Sequence, residues 1–332
     1  MFRADLFKEV LERPAERGSD KLFVVSGYAS AAMVYRHFEV LPLTVSIELL
    51  VGMSPAEGLV KGDHQSFQQL VSDFPGRFIC RYLKAPPSVH SKIYTWLKGN
   101  KPAEGFVGSP NYTQVAFFSR AREEVVVPYN PNLCAKAYLS ISQNSIDCTD
   151  SAAERIVKIH ERRGRVPRGF YPEYLTPDPE ESERRREEAP QPFQPSEDQV
   201  TLSLLEGSGD TPARSGLNWG QRPSRDHDQA YIPVPAPIAR SGFFPPRGTH
   251  FTLVTDDDQT FDCVVAQDGA KAIESSRNNA LLGKYFRKRL SLPSGAYIRK
   301  EHLLSYGRTD VTVSKIDDEN YSLGFSPAKG KK

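Results

Sequence analysis

No run of 18 apolar residues occurs in the 332-residue chain, so its length pattern offers no membrane-spanning helix. Cysteine is scarce: Cys80, Cys134, Cys148 and Cys263 are widely spaced, form no CxxC pair and sit in apolar-rich stretches. They read as reduced core residues, which excludes a disulfide framework or a zinc knuckle. Charge of one sign is also lacking, because 43 Lys and Arg against 41 Asp and Glu leave a net charge of +2. No global field attracts a polyanion, and any basic surface must be local. There is no GxxxxGK[ST], so the chain carries no phosphate loop for ATP. The opening MFRADLFKEVLERPAERG is charged and amphipathic, without the apolar core of a secretory signal. The expectation is a soluble, cytoplasmic protein with no membrane partner and no metal site.

At this length the chain can bury two cores. Up to about residue 170, strand-like and helix-like pieces alternate: KLFVVSGY, LTVSIELLVGM, RFICRYL, HSKIYTWL, EGFVGS and EEVVVPY read as strands. SAAMVYRHFEVL, DHQSFQQLVSDF capped by Asp63, and NLCAKAYLSISQNSI read as helices. That order predicts an α/β sandwich with a mixed sheet over residues 1–175. Residues 176–198, TPDPEESERRREEAPQPFQPSED, combine proline with dense charge and little to bury, and read as a linker. In residues 199–332 QAYIPVP, FTLVT, TFDCVVAQ, VTVSKI and YSLGF alternate in the strand period around polar turns, with NNALLGKYFRKRL as the clear helix. This second domain is expected to be a small, mostly β barrel.

The chemistry concentrates in residues 90–124. One HxK, His90 with Lys92, is followed by Gly108, Ser109 and Asn111 in the order Gly-Ser-x-Asn. Strand alternation places His90 and Lys92 on one face, and a turn at Gly108 lets backbone and hydroxyl approach an anion. An imidazole nucleophile, a fixed ammonium and short neutral donors are the groups that metal-free phosphoryl transfer needs. The bland reading of the dipeptide alone is a partly exposed strand edge; the joint pattern in a strand-then-turn context outweighs it.

His90, Lys92, Gly108, Ser109 and Asn111 resemble the phospholipase D superfamily signature, HxK followed by GSxN and then an acid. The signature's Asp, five residues past the Lys, is Leu97 here. That departure resembles the nuclease branch of restriction enzymes of the BfiI and NgoFVII kind, in which HxK, Asn and a later Glu carry the site. The resemblance implies an α/β phospholipase D-like sandwich and an acid about a dozen residues after Asn111. Glu123 and Glu124 are the candidates, with spacing favouring Glu123. Phosphodiester cleavage through a histidine adduct requires one imidazole to attack and a second to move the proton. With one HxK per chain, the second comes from another copy, giving a homodimer with one site on its axis that cuts one strand at a time.

In the second domain, LNWGQRPSRDHDQAYIPVP holds Arg222, Arg225, Asp226 and His227 in a polar arm, and residues 284–300 carry six bases and no acid. Such clusters suit phosphate contacts, while Arg and Asn near arm tips can read base edges. A solvated helix face is the plain alternative. This region resembles the carboxy-terminal domain of NgoFVII-type enzymes, which implies a B3-like pseudobarrel gripping double-stranded DNA between two arms, near 222–228 and 275–279. The contact candidates are Arg222, Arg225, Asp226, His227, Arg277, Asn278, Asn279, Lys284, Arg287 and Arg289. Residues 154–170 are also basic but read as an exposed helix end, with His160 at the surface. Trp96 and Trp219 read as core aromatics.

The resulting expectation is a metal-independent DNA endonuclease of a restriction system, with no cofactor in this chain. The resemblance implies a separate ATPase subunit that would use ATP and magnesium, and a cognate DNA methyltransferase. The competing readings are a phospholipase-type phosphodiesterase acting on lipid or nucleotide, and an inert DNA-binding dimer.

Overall fold

The computed structural model describes residues 1–118, 123–160 and 199–327. The expected linker at 176–198 and the basic run beyond residue 160 lie outside them. Among the described residues the strands are β1 (Lys21–Ser26), β2 (Ser46–Val51), β3 (Leu59–Val60), β4 (Phe78–Leu83), β5 (Ile93–Lys98), β6 (Lys101–Gly108), β7 (Val126–Tyr129), β8 (Ser145–Asp147) and β9 (Ile159–His160). They continue as β10 (Gln199–Ser203), β11 (Ile232–Pro233), β12 (His250–Thr255), β13 (Thr260–Ala266), β14 (Ala272–Ser275), β15 (Asp310–Lys315) and β16 (Asn320–Gly324).

The first sheet runs β7-β6-β5-β1-β2-β4-β8. β1, β2 and β4 are parallel, whereas β5, β6, β7 and β8 join antiparallel. Its centre is buried on both sides, as the unbroken apolar run of β1 requires. Leu22 and Val24 enter the larger core, while Phe23 and Val25 enter a smaller one on the opposite face. The helices Ala31–Val40 and Lys61–Asp73 contribute to the larger core. Pro131–Ser142 covers the other face, where Tyr138 stacks on Phe23 with ring centroids 4.2 Å apart.

Several boundaries differ from the sequence expectation. Asp63 lies inside the first turn of its helix, which starts at Lys61 after an extended Val60, so it is not the cap. The last helix of this unit stops at Ser142, and the β-branched Ile146 pairs instead with Tyr82 in the edge strand β8. β5 begins at Ile93, leaving His90 and Lys92 on the extended segment that leads into it.

The second sheet runs β10-β15-β16-β12-β13-β14-β11, antiparallel except where β12 meets β16. It wraps around its own core, a mostly β, barrel-like unit with the expected helix at Ala280–Arg289. The helix Lys300–Tyr306 and the short turn of helix Ala236–Arg240 were not legible as such in the sequence. All four cysteines are free and buried, and Trp96 is fully buried in the first core. No helix among the described residues is long and apolar enough to cross a membrane.

The units meet along a polar seam. Helices Ala31–Val40 and Lys61–Asp73 pack on β12 and β13. His250 Nε2 lies 3.0 Å from Glu39, Arg277 Nη1 lies 2.7 Å from Asp73, and Lys61 Nζ lies 2.7 Å from Asp258.

Candidate active site

The carboxy ends of β1 and β6 and the segment before β5 converge on a cavity of about 640 Å3 lined by His90, Lys92, Ser109, Asn111 and Glu124. β1 ends at Ser26, whose hydroxyl accepts the Tyr112 N–H at 2.9 Å and so pins the turn after β6 to the end of β1. Tyr112 is fixed again from its ring. His37 Nε2 must donate to the Leu11 carbonyl at 2.8 Å, so Nδ1 accepts from the Tyr112 hydroxyl at 2.7 Å. Burial pushes the His37 imidazole down to about 4, keeping it neutral for that role.

With its neighbour anchored, Asn111 is oriented by its own amide. Its Oδ1 accepts the Tyr28 N–H at 3.2 Å, which leaves the NH2 as the group to offer to a ligand oxygen. Gly27 makes room for the imidazole: a Cβ there would stand 2.9 Å from Cδ2 of His90. Gly108 permits the tight approach of β6 to the next strand, since a Cβ would come within 2.3 Å of the Val125 carbonyl.

Lys92 is buried, whereas His90 stands exposed at the mouth. Lys92 Nζ lies 3.1 Å from Nδ1 and 3.2 Å from Nε2 of His90, and it donates to the His90 carbonyl at 2.8 Å. Burial lowers the pKa of His90, the Lys92 charge lowers it further, and Glu57 opposes both. Burial also lowers that of Lys92, against the pull of Glu124. The shift at His90 favours the neutral imidazole, which can attack a phosphorus, beside Lys92, which can hold the phosphate oxygens.

The structure separates the two glutamates. Ser109 donates its hydroxyl to the Glu124 carboxylate and accepts the Val125 N–H at 3.0 Å. Glu123 points to the outside, where it pairs with Arg3 at 3.3 Å. The expectation that favoured Glu123 is corrected accordingly: one residue of spacing reverses the face, and spacing from Asn111 carried no information on which face turned inward. Glu124 sets Ser109 and the field at Lys92. The acid electrostatically linked to His90 is Glu57, which accepts the Tyr28 hydroxyl at 2.5 Å while the Tyr28 ring meets His90 edge-on. Tyr28 and Glu57 follow strands elsewhere in the chain and belong to no motif, so nothing in the sequence singled them out. A second group also missed is the turn Asp317–Asp318–Glu319 between β15 and β16, which with Asn320 at the start of β16 reaches this cavity from the other unit.

The DNA-contact candidates fall into two sets. Arg222, Asp226, His227, Asn278 and Lys284 are exposed, with Arg225 half-buried over the Trp219 ring at 3.9 Å and Asn279 half-buried where the helix begins. Arg287, by contrast, is buried and donates to the carbonyl oxygens of Ala296, Gly283 and His227 at 2.8, 3.2 and 3.0 Å, with Asp228 3.4 Å away. Arg289 bonds Asp256 at 2.6 Å and the Tyr306 hydroxyl, and Arg277 is held by Asp73 and stacked on Phe74. The expectation that Arg287 meets DNA is corrected: a count of bases does not reveal that this one faces into the barrel and ties the 217–228 segment to the helix. Among the described residues no group of three or more His, Cys, Asp or Glu side chains is placed to share a metal ion.

Residues 4–155 match the family described as NgoFVII restriction endonuclease N-terminal PLD domain, and residues 193–317 match NgoFVII C-terminal B3-like DNA-binding domain. No curated protein matches the chain. Among solved structures the chain is similar to the phospholipase D family member Nuc from Salmonella typhimurium, 12% identical over 42% of this chain and 89% of that one, with a TM-score of 0.32. NucT from Helicobacter pylori is 13% identical over 44% of this chain and 96% of that one, with a TM-score of 0.30. A polyphosphate kinase from Porphyromonas gingivalis is 18% identical over 44% of this chain, which spans only 24% of that kinase, with a TM-score of 0.28. An α/β phospholipase D-like sandwich followed by a B3-like pseudobarrel, matched in that order along most of its length, places the chain in the NgoFVII family of restriction endonucleases, nucleases that carry their own DNA-binding domain.

Proposed function

We propose that this restriction nuclease hydrolyses DNA phosphodiesters at or near a specific sequence, without a metal ion, through a covalent adduct on His90. The observation that carries the reading is the convergence of His90, Lys92, Ser109 and Asn111 on one cavity, where partial desolvation and the Lys92 charge both favour the neutral imidazole. A nitrogen of His90 attacks phosphorus as the bond to the leaving oxygen breaks, and Lys92 and the Asn111 amide hold the non-bridging oxygens, with Ser109 turning its single hydroxyl proton from Glu124 to the phosphate. A proton must reach the leaving oxygen, and one must later leave the water that displaces phosphorus from His90. One chain supplies a single HxK, so the proton carrier is His90 of a second copy, in a homodimer sharing one site across a two-fold axis. Each DNA strand is then cut in turn.

The second domain presents Arg222, Asp226, His227, Asn278 and Lys284 to double-stranded DNA. ATP and magnesium, where the reaction uses them, belong to a separate ATPase subunit, because this chain lacks a phosphate loop of its own. A cognate methyltransferase protects the same sequence, and the setting is cytoplasmic.

Plasmid DNA incubated with the purified chain in EDTA, with and without a candidate ATPase, tests the reading. Cleavage in EDTA, with label from radiolabelled DNA recovered on His90 after an alkaline denaturing quench that preserves the acid-labile P–N bond, is the expected outcome. Strict magnesium dependence without ATP would overturn the metal-free chemistry. Mixing wild-type and His90→Ala chains tests the shared site: mixed dimers should be inactive, whereas half-activity would mean that each chain works alone.

A further inference from the structure

The side chain of Glu319 crosses from the second unit into the first and is almost fully buried there. It is carried by a turn in which Asp317 Oδ1 accepts the N–H groups of Glu319 and Asn320, both at 2.9 Å. Its carboxylate is received by neutral donors of the nuclease unit. Ser30 donates its hydroxyl to Oε2, the Val115 N–H donates to Oε1 at 3.0 Å, and Gln114 Nε2 stands 3.4 Å from Oε2. The amide of Gln114 cannot turn round, because Arg36 Nη1 donates to its Oε1 at 3.2 Å and its Nε2 donates to the His250 carbonyl at 2.7 Å.

This oxyanion seat lies between two openings. On one side Ser30, Val115 and Glu319 form part of the wall around His90 and Lys92. On the other, Val115, Gln114 and Glu319 line a groove of about 870 Å3 that also holds Arg36, Arg240, Arg247 and Lys315. A strand whose scissile phosphate rests at His90 and whose flank follows the bases of that groove must pass the seat. The donors are a hydroxyl, a carboxamide and a backbone N–H, all suited to an anion at close range.

We propose that Ser30, Gln114 and the Val115 N–H form a second phosphate subsite, for a non-scissile phosphate of the DNA strand, and that Glu319 fills it until DNA displaces the turn. This rests on the reading of the cavity as a DNA-cleaving site. Asp317 and Asp318 flank the seat and repel a polyanion, so in the closed arrangement random DNA meets negative charge where the strand should enter. Binding of DNA must offset the loss of the Glu319 contacts.

The test is binding of a short fluorescent duplex of random sequence to the full chain in EDTA across a salt series, with melting followed for every variant. Glu319→Ala should bind about tenfold more tightly than the wild type. The donors of the seat are neutral and release no counterion, so the gain should persist as salt is raised. Glu319→Gln, which keeps shape and removes charge, should move in the same direction by less. Adding Ser30→Ala to Glu319→Ala should remove most of the gain. A folded Glu319→Ala or Glu319→Gln chain with unchanged or weaker binding overturns the proposal, as does a gain that survives Ser30→Ala in full. Because binding needs no chemistry, a wild-type chain that leaves DNA uncut in EDTA counts against the catalytic reading and not against the subsite.

Discussion

Lys92 Nζ touches both ring nitrogens of His90, at 3.1 and 3.2 Å, and the carbonyl of the same residue at 2.8 Å. An ammonium so close to an imidazole disfavours a second positive charge, and burial acts in the same sense. The neutral, attacking form of His90 thus persists to lower pH than in a free imidazole, whose pKa is about 6.5. The acid limb of kcat/KM for DNA cleavage should inflect below that value. Lys92→Met should move the inflection upward and cost roughly 10²–10³ in rate, since a charge on the phosphate oxygens is lost as well. A wild-type limb inflecting above 6.5, or a variant limb that does not move, contradicts the pairing.

The two adjacent glutamates give a sharper discrimination. Glu124→Gln weakens the acceptor for Ser109 and removes the negative charge near Lys92, and should lower cleavage roughly 10- to 100-fold with little change in melting. Glu123→Gln loses only an exposed pair with Arg3 and should stay within about twofold. Single-turnover cleavage by the two variants, side by side, checks this; equal losses would mean that the segment rearranges around DNA.

What could be read from the sequence follows the physics of each feature. The β1 and β2 runs, the helix beginning after Ser30 and the HxK to GSxN pattern are local signals of periodicity and spacing, and the structure draws His90, Lys92, Ser109 and Asn111 to one cavity. Glu57, Tyr28 and Glu319 were not legible, because each joins the site through tertiary contact across 33 to 229 residues of chain from His90. The same limit applies to Arg287 and Arg289. Their positive charge is plain in the sequence, whereas their direction is set by the packing of the helix against the 217–228 segment and the acids near Asp256.

That direction leads to a contrast between neighbours on one helix. Arg287→Ala removes the guanidinium from the Ala296 and His227 carbonyl groups and the countercharge from buried Asp228, which keeps only its bonds from Ser294 and Gly295, and should destabilise the second domain by roughly 3–5 kcal/mol. Lys284→Ala touches an exposed residue and should leave stability within about 0.5 kcal/mol while weakening DNA binding and its salt dependence. Urea unfolding together with DNA titration separates the two. A stable Arg287→Ala protein deficient only in DNA binding would return Arg287 to the DNA surface.

The seam between the units carries a pH dependence of definite sign. Burial alone would keep His250 neutral, but hydrogen bonds to Asp262 at 2.8 Å and Glu39 at 3.0 Å, with their charges, outweigh it and push the imidazole up to about 9. In the unfolded chain the same group titrates near 6.5. The folded state therefore binds the proton more tightly: its contribution is complete below about pH 6.5, declines as pH rises, and is gone above about 9. Its size is at most roughly 3.5 kcal/mol, from 1.4 kcal/mol per unit of pKa, and less once the burial that raises Asp262 is counted against it. Since Glu39 belongs to the nuclease unit and Asp262 to the barrel, the loss should show as earlier unfolding and easier separation of the units at pH 10 than at pH 6. Differential scanning calorimetry of the wild type and His250→Gln at both pH values checks it. The wild type should lose stability over that interval and the variant should lose less, whereas equal losses would assign the change to other groups.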